Sequence, residues 1–117
     1  KPLQLTVSIR EKESEIWSPF EKISPKVIPH TGEGKPDSRQ IHEALIEIKK
    51  TFINETQIVL VPSANTSYDI LISLMDQLRG LEPTDPPLFR KNPSTGNDEP
   101  VKTLFPEIVF GNLLGES

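Results

Sequence analysis

Side chains able to do acid–base or metal chemistry are few in this chain and poorly clustered. There are two histidines, His30 and His42, and no cysteine, which excludes disulfides, thiolate metal centres and cysteine nucleophiles. His30 sits in a proline-flanked stretch near Glu33 and Asp37. That set could in principle hold a cation, but no regular element spaces the three as ligands. His42 follows Ile41 inside an apolar periodicity and reads as a packed or helix-surface histidine. Asp69 and Asp76 stand two helical turns apart and read as a solvated carboxylate stripe, with Asp69 in a first turn where the helix dipole favours it. Gly32-Glu33-Gly34-Lys35 lacks the preceding strand and the remaining pattern of a phosphate loop. No acid, base and nucleophile converge, so the expectation is no enzyme, no catalytic residue, no metal site and no cofactor.

The bulk properties narrow the class further. The chain has 117 residues, 13 basic and 17 acidic, for a formal net charge of −4. That length suits a single domain over 1–117, and an acidic balance argues against a nucleic-acid binder. No stretch approaches the roughly 20 apolar residues of a membrane span. Proline is the outlier: 12 residues, about twice the usual share, and they mark where regular elements stop.

Between the prolines, periodicity defines the elements. Leu3 to Ile9 alternates apolar and polar, the mark of a half-buried strand, and Glu15–Ser18 reads as its returning partner. A short edge strand is expected at Lys26–Ile28, in a stretch otherwise broken by Pro19, Pro25, Pro29 and Pro36. Asp37 offers an N-cap with Gln40 as capping-box partner. Ile41, Leu45, Ile48 and Phe52, with Ala44 beside them, then form the apolar stripe of a helix over 38–53, and Glu43, Glu47, Lys49 and Lys50 fall off it. Ile58–Val61 reads as a central strand. A second helix over 67–79 starts at Thr66 and Asp69, carries Leu71, Leu74, Met75 and Leu78, and ends at Gly80 as C′ with Leu81 behind. Residues 83–106 read as a proline-rich loop with few apolar anchors. Glu107–Phe110 is the last strand. A helix between the last two strands makes a βαβ unit, which places them parallel and adjacent. The expected fold is α+β: a two-layer sandwich with a small mixed sheet and two helices on one face, in the order β-β-α-β-α-β.

The segment from Gln57 to Arg79 resembles the periplasmic domain of the ExbD/TolR family, in which a hydrophobic strand and polar loop precede a Tyr and a helix with Met-Asp and Leu-Arg. Tyr68, Met75, Asp76, Leu78 and Arg79 occupy those positions, as a packing motif with no chemistry of its own. Family members reach their last strand soon after the second helix, whereas this chain inserts residues 83–106. The family's transmembrane helix with its proton-carrying Asp has no counterpart here. The resemblance therefore implies the periplasmic domain of a bacterial inner-membrane protein, joined to the membrane through an N-terminal helix outside these residues. It implies a non-catalytic part of a proton-driven motor that transmits force for TonB- or Tol-type transport or envelope processes. Implied partners are a second copy, as a homodimer, a multi-span ExbB/TolQ-like channel subunit and a TonB/TolA-like energiser protein. Peptidoglycan anchoring is the alternative function, and a small enzyme a distant one.

Binding sites follow from the elements. A small sheet has edges that accept a strand from a partner or from a second copy, and Ile108, Val109 and Phe110 are the candidates because their strand arrives after a long loop. Asp85, Arg90 and Lys91 charge that loop and make it a candidate docking element. Trp17 and Tyr68 read as core or sheet-edge fillers, and Met75 as core.

Overall fold

A computed structural model of the chain describes residues 3–111. Alternation in the first segment does form a strand, β1 (Thr6–Ile9). Arg10 turns the chain, its N–H donating to the Glu13 carbonyl at 2.8 Å, and β2 (Glu13–Trp17) returns antiparallel with Val7 opposite Ile16. The proline-rich stretch yields the expected edge strand, β3 (Lys26–Pro29), paired antiparallel to β2. Helix α1 (Ser38–Thr51) starts at Asp37, whose carboxylate accepts the Gln40 N–H at 3.1 Å and the Gln40 side-chain amide at 2.9 Å. Lys49 and Lys50 lie in its last turn, where the helix dipole favours cations.

β4 (Gln57–Val61) runs parallel to β1 on one side and parallel to β7 (Glu107–Phe110) on the other. The sheet order is β3-β2-β1-β4-β7, so β4 is internal and β7 is an edge. Helix α2 (Tyr68–Arg79) connects β4 towards β7. Its cap is Ser67, one residue later than the sequence suggests: the Ser67 hydroxyl accepts the Ile70 N–H, while Thr66 is engaged with Ser63. Gly80 ends the helix in an extended conformation (φ −110°) rather than as a left-handed C′, because its strand-like backbone pairs with Thr103. The architecture is α+β, a mixed five-stranded sheet with two helices plus a small second sheet. No helix among the described residues is long and apolar enough to cross a membrane.

The core lies between the sheet and the helices. Leu5, Val7, Ile9, Ile16, Ile28, Ile58 and Leu60 meet Ile41, Leu45 and Ile46 of α1 and Leu74 and Leu78 of α2, all buried. Each such side chain contributes about 1.5–3 kcal/mol on leaving water. Two residues depart from the expected stripe. Ile46 is buried, and so is Lys49, at 2% exposure, though periodicity places it on the polar side.

The reason is the segment 83–106, which is folded rather than a plain loop. It carries a hairpin of β5 (Phe89–Lys91) and β6 (Asp98–Pro100). Its turn is built by Asn92, whose side-chain oxygen accepts the Ser94 and Thr95 N–H groups, and by Gly96 at φ +76°, a conformation in which a side chain is strained. Three apolar anchors hold the segment down: Leu88, Leu104 and Phe105 are buried. The Leu104 and Phe105 N–H groups also donate to the Arg79 and Leu78 carbonyls at the end of α2. Phe105→Ala should therefore cost about 3–5 kcal/mol, whereas Phe89→Ala, at a side chain 55% exposed, should change stability by about 0.5 kcal/mol or less. Urea denaturation of the two variants checks this.

Candidate functional site

Of the polar residues singled out from sequence, the structure brings His42 and Asp85 together. His30 Nε2 faces the Arg10 carbonyl at 2.8 Å, tying the proline-rich stretch to the β1–β2 turn. Among the described residues no group of three or more His, Asp or Glu side chains is placed to hold a metal ion. Asp69 and Asp76 are both exposed. Trp17 lies half-buried on the sheet face away from the helices and donates from Nε1 to Ser8 Oγ at 2.9 Å.

His42 is fully buried and holds the inserted segment to α1. Its Nε2 lies 2.8 Å from Asp85 Oδ2, and its Nδ1 lies 2.7 Å from the Gln77 carbonyl oxygen of α2. Both neighbours offer acceptor oxygens, so the ring bridges the inserted segment and α2. Asp85 Oδ2 also accepts the Glu82 N–H at 2.6 Å. Burial alone would push this carboxyl up. The Glu82 N–H, the His42 ring and the charge of Arg39 outweigh it and hold the group below the usual carboxylate value. Asp85, expected as a docking residue, is thus a structural anchor with a side chain only 7% exposed. Arg90 is partly exposed and paired with Glu99 at 3.1 Å, and Lys91 is exposed.

The remaining expectation concerns the sheet edge. Glu107 N–H donates to the Thr56 carbonyl at 3.0 Å and Gly111 N–H to the Leu60 carbonyl at 2.9 Å. Alternation along a parallel ladder then turns the N–H and C=O groups of Ile108 and Phe110 away from β4, towards a side with no neighbouring strand among the described residues. Ile108 packs partly against the core, while Val109 and Phe110 are 46% and 51% exposed. Gly111 is required at the end of β7: a Cβ there would stand 2.5 Å from Val61 Cγ2. A cavity of about 410 Å³, lined by Gln57, Val59, Val109, Phe110 and Gly111 among others, lies against this edge.

Helix α2 extends the same surface. Its side bearing Ile70, Ser73 and Gln77 is turned to α1. The opposite side, flanking β7, carries Tyr68, Ile72, Met75 and Arg79 at helical spacing. Of the motif residues, Leu78 is in the core and Met75 packs against it, whereas Tyr68, Asp76 and Arg79 face solvent. Tyr68 therefore does not fill the core: at 74% exposure it stands on the rim of this surface with Ile72. The signal for this was present in the spacing of Tyr68, Ile72 and Met75, which form a second apolar stripe beside the one formed by Leu71, Leu74 and Leu78.

The Asp85 anchor has a pH signature. Because its carboxyl is held low in the folded chain, its stabilisation is complete above the unfolded value of about 4 and is lost as pH falls through the lower folded one. Urea midpoints should fall below pH 4 in the native chain and fall less steeply in Asp85→Asn. At neutral pH, Asp85→Ala should cost about 2 kcal/mol by stripping charge-assisted hydrogen bonds from His42 and Glu82. Comparison with protein-family models, curated proteins and solved structures finds no significant match to this chain.

Proposed function

We propose that this chain is the partner-binding periplasmic domain of an ExbD/TolR-like subunit of a proton-driven inner-membrane motor, acting without catalysis. The observation that carries the proposal is the β7 edge. It combines outward backbone donors and acceptors at Ile108 and Phe110, exposed apolar side chains at Val109 and Phe110, and the adjoining stripe of Tyr68, Ile72 and Met75. Such an edge takes an added strand through main-chain hydrogen bonds, and the side chains beside it select which strand. In the motor, the added strand belongs to a TonB/TolA-like energiser protein, or to a second copy related by a two-fold axis. The opposite edge is less suited, because β3 contains Pro29 and Lys26, which blunt strand addition. The channel partner, an ExbB/TolQ-like subunit, would be met through the membrane helix that the resemblance implies.

Self-association tests the edge directly. Sedimentation equilibrium should show a concentration-dependent dimer, and Phe110→Pro, which removes one outward N–H and no bond to β4, should weaken it at least tenfold with the fold intact by circular dichroism. A native chain that stays monomeric at millimolar concentration would overturn the dimer. In cells, a photocrosslinking residue at position 109 should join the chain to an energiser encoded beside a multi-span channel subunit. A gene neighbourhood with no such subunit would sink the motor reading.

A further inference from the structure

A buried lysine is costly unless its charge is answered, and Lys49 is only partly answered. Its ammonium donates to the Glu55 carbonyl oxygen and lies 4.9 Å from the centre of the Phe105 ring. No carboxylate forms an ion pair with it among the described residues, and the Glu55 carboxylate acts on it only at longer range. An ammonium has three donors, so its hydrogen-bonding capacity exceeds what one carbonyl takes up. Lys49 also lines a cavity of about 240 Å³ between the end of α1 and the β5–β6 hairpin, together with Arg90, Lys102, Thr56, Thr103 and Glu99. Three cationic side chains thus share this cavity with one carboxylate. That carboxylate is already used: Glu99 accepts from Arg90 Nε at 3.1 Å and from the Asn92 amide at 3.1 Å. Arg90 engages Glu99 through Nε, which leaves the terminal nitrogens of its planar fork for another acceptor. Burial, followed by the charge of Arg90, makes the protonated form of Lys49 harder to keep, a tension that an anion between the two would relieve.

We propose that this cavity binds a phosphate group, with Lys49 as the buried donor, the free end of the Arg90 guanidinium as the planar clamp, and Lys102 closing the rim. The surplus of two positive charges over Glu99 suits a dianion better than a single carboxylate. The guanidinium fork matches the spacing of phosphate oxygens. Thr103 adds a hydroxyl beside the rim, while Thr56 is committed to Glu107 at 2.9 Å. Because the walls come from α1 and from the inserted hairpin, an occupied site would also tie the hairpin to the helix. The cavity shares no lining residue with the one at the β7 edge, and the site does not depend on the strand-binding proposal.

The test uses inorganic phosphate against chloride at matched ionic strength and pH 7. Phosphate at ten times its dissociation constant should raise the melting temperature by about 6 °C over the chloride control. Backbone amide resonances of residues 49, 90 and 102 should shift in the same titration. Lys49→Met should abolish the difference. Should that variant fail to fold, Arg90→Gln with Lys102→Gln, both at exposed positions, should weaken phosphate at least tenfold. Equal melting in phosphate and chloride would overturn the proposal, as would an unchanged phosphate effect in the double variant. An adjoining arm assigns the source of the phosphate. Sedimentation with phosphatidic acid vesicles, but not phosphatidylcholine vesicles, that is lost in the double variant supports a lipid headgroup. No vesicle binding beside an intact phosphate effect supports a free phosphate ligand.

Discussion

The parallel pairing of β4 with β1 on one side and β7 on the other is the constraint from which the rest of this structure follows. Parallel neighbours cannot be joined by a tight turn and need a crossover. The chain must therefore leave the sheet between β1 and β4 and again between β4 and β7. The first departure includes β2, β3 and α1, and the second includes α2 and the inserted hairpin. Both helices lay their apolar stripes on one sheet face, which fixes the core. The last strand can then join only on the far side of β4, and so β7 becomes an edge. The open edge at β7 is thus a consequence of burying Ile58 and Leu60 between two parallel partners.

The inserted segment solves a packing problem and sets up a polar one. Leu88, Leu104 and Phe105 seal the end of the core beyond α2, and the Leu104 and Phe105 N–H groups satisfy carbonyls at the helix C-terminus. The segment also covers α1 along a line that includes His42 and Lys49, two turns apart on the same side of the helix. Both are polar and both are buried, so each demands partners that the covering segment helps to supply: Asp85 for the histidine and the Phe105 ring for the lysine. The acid anchor at one end and the cationic cavity at the other are therefore parts of one interface, between α1 and a segment that its own prolines keep from becoming a helix.

Function is proposed at two surfaces with different physics. At β7 the recognising groups are backbone N–H and C=O with an apolar border, which favours an extended chain as partner. At the hairpin the recognising groups are one buried cation, Lys49, and the exposed Arg90 and Lys102 beside it, which favours a compact anion. Val109 and Lys49 show the contrast well: one offers area for a neighbour to cover, the other a charge to neutralise.

The amino-acid sequence by itself determined the elements and most of their order. Alternation at Leu3–Ile9, the β-branched run at Ile58–Val61, the stripe through Ile41 and Leu45, and the capping Asp37 are local signals, and each formed its element, although the first strand begins only at Thr6, after Gln4 at φ +47°. The parallel, adjacent placement of β4 and β7 was legible as well, because a helix between two strands leaves few other arrangements. Only the tertiary structure decided the fate of residues whose surroundings come from distant parts of the chain. Lys49 and Ile46 are buried, Tyr68 is exposed, Asp85 turns inward, and residues 83–106 fold into a hairpin with three buried anchors. A helical period reports which side of a helix is greasy, but says nothing of what a segment forty residues away will cover. The chemistry-bearing side chains are of this second kind. His42 reads as a packed histidine from its neighbours on α1, and its partner could be known only once the chain had folded back to bring Asp85 against it.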